Sequence, residues 1–320
     1  MRKFVFKVLL FAFILITIFL IGVILPATPR ASTSYLFTKI DKDSLLANVD
    51  TPRIIFIGGS NLSFGLNSQM VKDSLGLNPI NTGIQVGIGL IYMMENVLPY
   101  IKTGDIVVVA YEYHGFYGEI ALGEDALLRI VLDVDPDALK MLSNKQLINL
   151  CAYLPKYSFS KFKPTEYIKK YIDKHEDKFN VVKSFNEYGD VVTHWDYNMK
   201  KFSVVESIKG EFNYSLIDEL KKFELKLQHK GAVLYITFPG YQATSFENCR
   251  KQIKLIEDEL SKCGFILLGK PEDYMVPDSL MFDTPYHLSK KGVDLRTNLL
   301  INDLRNIMEN KDKTHCLNSH

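Results

Sequence analysis

Apolar positions along this chain fall into three kinds of run. Residues 8–25 are uncharged and apolar throughout, with Arg2, Lys3 and Lys7 ahead of them and Pro26 behind. In a helix these residues reach about 27 Å, close to the hydrocarbon thickness of a bilayer. Further on come short, mostly apolar blocks, at 53–57, 106–111, 232–238 and 265–268, the first of them four apolar residues in a row after Arg53. Blocks of that length, rich in Ile and Val, suit strands buried on both faces of a parallel sheet. Between and after them the spacing turns helical, over 89–101, 246–263 and 290–309. Ile253, Ile256 and Leu260 share one face of the second helix. Val293, Leu300, Leu304 and Ile307 share one face of the last, because steps of seven, four and three keep to one side. Strands alternating with helices predict an α/β fold around a mainly parallel sheet.

Two stretches break this rhythm. Residues 27–50 are polar and mixed, and read as a connector between the apolar segment and a domain spanning 51–309. Residues from about 119 to 214 are rich in Lys, Tyr, Asp and Asn, with short helical runs and no convincing strand pair. They read as a large insertion after the 106–111 strand, forming a cap, and insertions of that size usually carry function or face a partner. Residues 310–320 read as a disordered tail.

Composition works by exclusion. With 38 basic against 37 acidic side chains, no net positive field points to nucleic acid. A cleaved leader has a shorter apolar core and small residues ahead of the cut, whereas Ala27 follows Leu25 and Ala31 follows Pro29 at the positions that matter. The expectation is an uncleaved signal anchor in the cell membrane, with residues 8–25 in the bilayer. The basic amino end then stays in the cytoplasm, and everything after Pro26 is extracytoplasmic. Cys151, Cys249, Cys263 and Cys316 lack paired metal-ligand spacing, and His114, His175, His194 and His229 are scattered. No metal and no cofactor is expected. Cys249 and Cys263 are the pair an oxidising compartment could bridge, but four unpaired thiols is the reading taken.

Candidate chemistry sits at two places. The 53–57 strand ends in Gly58-Gly59-Ser60-Asn61, and glycines there let the backbone turn and present the next side chain at the carboxyl edge of the sheet. Ser60 is then a candidate nucleophile, unless Ser60 or Asn61 serves only as a helix N-cap. A phosphate-binding loop is disfavoured, since neither Gly-x-Gly-x-x-Gly nor Gly-Lys-Ser/Thr follows. Near the other end, Asp283-Thr284-Pro285-Tyr286-His287 leads through Ser289, the expected N-cap, into the last helix. Asp283 can hold the imidazole of His287, freeing its other nitrogen to take a proton from a serine hydroxyl. Two further stretches are weighed. Residues 238–242 read as a plain loop or a pocket wall, and His194-Trp195-Asp196 as insertion core or a sugar platform.

With these blocks in this order the chain resembles the SGNH (GDSL-type) esterases and acyltransferases. The Gly-Asp-Ser turn of that family is matched by Gly58-Gly59-Ser60-Asn61, and its Asn-x-Gly segment by Asn81 through Gly87. The final Asp-x-x-His is matched by Asp283 through His287. The resemblance covers residues 53–304 apart from the insertion, and is strongest toward membrane-anchored members tied to acylation of cell-envelope polysaccharide. It implies a three-layer flavodoxin-like fold and a catalytic Ser60, Asp283 and His287. The oxyanion donors expected are the backbone N–H groups of Ser60 and of Gly83 or Gly87, with Asn61 or His114 as substitutes for the Asn that the third block lacks. Glu112 and His114 are otherwise groups that orient a sugar hydroxyl or serve as local structure. Three departures stand out. Gly59 replaces the usual Asp, the Asp283–His287 spacing is one residue long, and the third block has no Asn, reading Ala110-Tyr111-Glu112-Tyr113-His114 instead.

The expected function is serine-dependent acyl transfer or ester hydrolysis on an extracytoplasmic substrate, an acylated glycan or small ester. The alternative is a weak or inactive relative that binds glycan or a membrane-bound acyltransferase partner through the insertion.

Overall fold

The computed structural model describes residues 1–174, 179 and 181–317, with backbone alone for 173–174 and 310–317. His175 and the side chain of Cys316 lie outside that description. In chain order the strands are β1 (Arg53–Gly58), β2 (Asn78–Asn81), β3 (Ile106–Ala110), β4 (Val233–Thr237), β5 (Tyr241–Gln242), β6 (Leu267–Leu268) and β7 (Met275–Val276). The first helices are α1 (Arg2–Ile24), α2 (Thr38–Asn48), α3 (Ser60–Ser63), α4 (Ser68–Leu75), α5 (Leu90–Val97) and α6 (Asp125–Arg129). They are followed by α7 (Asn144–Cys151), α8 (Leu154–Ser160), α9 (Lys169–Lys174), α10 (Tyr214–His229), α11 (Ala243–Lys262) and α12 (Lys290–Leu317).

Five strands form one parallel sheet in the order β2-β1-β3-β4-β6, while β5 and β7 make a separate short pair. Alternate side chains of the sheet go to opposite faces, as the period of two requires. Ile55, Ile57, Val107, Val109, Leu234 and Ile236 pack under α5, α10 and α11. Ile54, Phe56, Val108, Ala110 and Tyr235 pack under α4 and α12 through Val71, Leu300, Ile301 and Leu304. With both faces covered, the central strands β1, β3 and β4 are almost wholly apolar, and that is why they were legible.

The edges of the sheet differ from expectation. β2 is not apolar, and its Asn78 and Pro79 are tolerated because it pairs on one side only, with β1. β6 is two residues rather than four, because the Phe265 N–H is used on Leu260 to close α11.

The supposed connector is folded. Lys39, Lys42 and Leu46 of α2 are buried, and Lys42 Nζ donates to the carbonyls of Asn81 and Gly189, each at 2.7 Å. Its lysines made it look solvated, yet Lys42 satisfies carbonyls that would otherwise be buried unpaired and Lys39 is held by the carboxylates of Asp43 and Asp135. The insertion is no detached cap either, since Leu127, Ile130 and Val131 join the main core. The C-terminal tail continues α12 as far as Leu317, and residues 318–320 lie outside the described part. Cys249 and Cys263 are free, as is Cys151. The first two lie on α11 and at its C-cap, fourteen residues and about 21 Å apart at 1.5 Å per residue, beyond disulfide reach.

α1 projects from this body with its apolar side chains exposed, and Gly22 is its one buried residue.

Candidate active site

At the carboxyl end of β1 the chain turns through Gly59 into α3, and Ser60 is the first residue of that turn, half-buried. Gly59 is the N-cap, with no side-chain capping bond, so the Ser60 hydroxyl is not consumed as a cap. It makes no hydrogen bond among the described residues; nucleophile–base contacts are commonly loose before substrate tightens them. A side chain at position 59 would collide with both carboxylate oxygens of Glu112 and with the Val86 nitrogen, so only glycine fits.

Glu112 is buried, and its Oε1 accepts the Asn61 N–H at 3.0 Å. Its Oε2 has no partner among the described residues. Asn61 turns its amide back into the sheet end, donating to the Ala110 carbonyl at 2.9 Å. That direction takes the Asn61 side chain out of the oxyanion role expected for it. Gly83 is also committed, its N–H donating to Asn81 Oδ1 at 3.0 Å. Gly87 packs against Glu124 and Ala126 of the insertion. The N–H groups of Ser60, Val86 and Gly87 remain without an acceptor among the described residues. Val86 escaped sequence reading because a backbone donor has no residue-type signature.

His287 reaches the same place from the far end of the chain. Phe282 N–H donates to its carbonyl at 2.8 Å, and Met281 bridges Leu288, which closes a tight loop. Thr284 Oγ1 takes up the extra residue of that loop, accepting the N–H groups of Tyr286 (3.2 Å) and His287 (3.1 Å). Asp283 Oδ1 then lies 2.7 Å from His287 Nδ1. With Nδ1–H donated to the carboxylate, Nε2 is the basic nitrogen. The imidazole stacks on Phe64, with centroids 4.1 Å apart and planes 9° from parallel. Phe64 donates its N–H to the Ser60 carbonyl at 2.9 Å, so the residue on which His287 stacks follows Ser60 by one helical turn.

Ser289 stands in the N-cap position, its carbonyl accepting the Val293 N–H at 2.8 Å, while its hydroxyl donates to the Leu280 carbonyl at 2.9 Å and fastens the loop. Residues 238–242 brace the loop from beneath, with Tyr241 packed on Tyr286 at 4.5 Å and Gln242 N–H donating to the Pro285 carbonyl at 3.0 Å. His114 also meets the loop, its Nδ1 lying 3.3 Å from the Tyr286 hydroxyl. Burial holds His114 below its ordinary value.

No protein-family model matches this chain, and no curated protein matches it.

His194 of the insertion is fully buried behind the site. Its Nε2 lies 2.9 Å from the Leu288 carbonyl, and its ring contacts Phe64 and Phe282. Trp195 carries Lys290 Nζ over its ring at 4.6 Å. His194 is therefore core that supports the His287 loop, whereas Trp195 is half-buried and Asp196 exposed. Burial, the dominant cause, lowers the His194 pKa from 6.5 to about 4. A histidine depressed in this way contributes its stability above pH 6.5 and loses it as the pH falls toward 4. Over that interval the folded state should lose up to about 3 kcal/mol, and His194→Gln should flatten the loss. Denaturant titrations at stepped pH check this; an identical acid slope in the variant would remove His194 as its source.

Proposed function

We propose that this protein is a membrane-anchored serine acyltransferase or esterase of the SGNH type, acting outside the cytoplasm on an acylated cell-envelope glycan or a small ester. The observation that supports the reading is an Asp283-oriented His287 stacked on Phe64, the residue one helical turn after an uncapped Ser60. Counted among its own strands the sheet order is 2-1-3-4-5, the flavodoxin-like doubly wound order, and its carboxyl edge is where such sheets bind ligands.

In the proposed reaction Ser60 Oγ attacks an acyl carbonyl as its proton passes to His287 Nε2. Asp283 steadies the imidazolium, and the same proton goes to the departing alcohol. A sugar hydroxyl or water then takes the acyl group from Ser60. The N–H groups of Ser60 and Val86 are the donors that fit the developing oxyanion, in place of Asn61 and Gly83. Glu112 supplies, from β3's end, a carboxylate that the resembled family carries just before the serine, and this accounts for Gly59.

A carboxylate beside that oxyanion opposes it. Glu112→Gln keeps an acceptor for the Asn61 N–H and removes the charge, so labelling of Ser60 should speed up roughly tenfold. The main test is a fluorophosphonate probe on the full-length protein, with the modified peptide identified by mass. Labelling confined to Ser60 is the expected result, and a protein left unlabelled would defeat the reading.

The anchor reading gains support from packing. Ser158 Oγ donates to the Phe19 carbonyl at 2.7 Å and Lys161 Nζ to the Pro26 carbonyl at 3.0 Å, so α1 and its exit are built into the fold. A cleaved leader would leave those contacts open.

Glu112 on the Asn61 N–H favours a second reading, a non-catalytic envelope protein. It predicts that Ser60→Ala and His287→Ala leave cellular function intact.

A further inference from the structure

The exit of α1 is flanked by a second apolar element. Gly22 abuts Ser158 and Phe162, and Ser158 bonds the Phe19 carbonyl, so α8 runs beside the last two turns of α1. Between them Lys161 is buried against Asp133, whose Oδ1 also accepts the Tyr157 hydroxyl at 2.7 Å. This pins the segment rigidly to the body of the protein. Yet Phe159 is 51% exposed and Phe162 44%, and Tyr167 and Ile168 just beyond are half exposed as well.

Depth decides what covers them. With Lys7 at the cytoplasmic headgroups, roughly 30 Å of hydrocarbon takes about twenty residues, which ends near Pro26. Phe19 and Gly22 then lie within the outer leaflet, and Phe159 and Phe162 lie beside them at the same depth. Behind this apolar edge is a cavity of about 300 Å³ lined by Arg30, Arg129, Lys156 and Lys163. Its two acids are partly engaged, Asp133 Oδ1 by Lys161 and Tyr157 with Oδ2 left unpaired, and Glu166 by Thr28 and Arg30, while Arg129 is held by Asp125. Lys156 and Lys163 have no acidic partner among the described residues.

We propose that the 154–168 segment dips into the outer leaflet and holds an anionic phospholipid, with Phe159 and Phe162 among the acyl chains and the phosphate in the cation-lined cavity. The inference rests on the anchor reading and not on the Ser60 chemistry. Aromatic side chains at this level and cations at the headgroups are the pairing that interfacial segments use. It also sets the body of the protein at the bilayer surface rather than on a free stalk.

Full-length protein carrying Trp195→Phe and a single new Trp, in nanodiscs of equal parts phosphatidylcholine and phosphatidylglycerol, tests it. Brominated lipid should strongly quench both Phe159→Trp and Phe162→Trp, and leave Leu295→Trp on the exposed side of α12 unquenched. Bromine on phosphatidylglycerol should quench more than bromine on phosphatidylcholine, and Lys156→Glu with Lys163→Glu should bring the two to parity. The enrichment lost is about fivefold per charge. Phe11→Trp separates the failures. If it is quenched while positions 159 and 162 are not, the anchor stands and this proposal falls, leaving that face to a protein partner. If Phe11→Trp is itself unquenched, both fall. Equal quenching by the two brominated lipids in the parent would overturn the headgroup site.

Discussion

Ser60→Ala is expected to slow hydrolysis of an activated acyl ester such as p-nitrophenyl acetate by on the order of 10⁴-fold or more. The folded state should be nearly unaffected, because the hydroxyl is half-buried and makes no hydrogen bond among the described residues. Loss of activity without loss of stability is the diagnostic combination, and it separates a nucleophile from a structural serine. His287→Ala should be as severe, and the double variant no worse than either single one, since the two groups act as a unit. Asp283→Asn should cost about 10⁴-fold, because the amide holds the imidazole in the wrong tautomer while keeping the loop closed. Parent-level turnover in Ser60→Ala would end the enzymatic account. Additive losses in the double variant would mean that Ser60 and His287 do not share a proton.

Legibility in the sequence followed burial pattern. β1, β3 and β4 are packed on both faces, so they had to be continuous apolar runs, and they were found within a residue or two. β2 was invisible because an edge strand can carry Asn78 and Pro79, and α2 because Lys42 bonds buried carbonyls and Lys39 bonds carboxylates instead of water. At the site, Ser60, Asp283 and His287 could be picked out because nucleophile, base and orienting acid need particular side chains. The parts that depend on direction could not. Nothing in the letters says that Asn61 points back at Ala110, that Gly83 is held by Asn81, or that Phe64 and His194 sandwich the His287 loop. Glu112 was noticed as an anomaly, but its bond to the Asn61 N–H and its exclusion of any side chain at Gly59 required coordinates.

The largest effect on stability is expected from Arg53, at the start of β1. Its guanidinium is fully buried, with Nε donating to Asp105 Oδ1 at 2.9 Å and Nη2 to the other carboxylate oxygen. Nη1 donates to the Leu46 carbonyl at 2.7 Å and Nη2 also to the Tyr100 carbonyl at 2.8 Å. One side chain thereby joins the end of α2, the entry to β3 and the first strand. Removing it by Arg53→Met strands the Asp105 carboxylate in the core with only the Lys102 N–H, and frees two carbonyls. Breaking a buried pair in this way costs about 3–5 kcal/mol, a large share of the stability of a domain this size. The pair itself need not be stabilising relative to an apolar core, because both ions were desolvated to form it. Asp105→Leu added to Arg53→Met should therefore recover part of the loss, whereas Asp105→Leu alone should be as damaging as Arg53→Met. Denaturant midpoints of the detergent-solubilised full-length chain decide it. A loss below about 1 kcal/mol in Arg53→Met would mean that water reaches Asp105, and that α2 is held to the sheet by Lys42 instead.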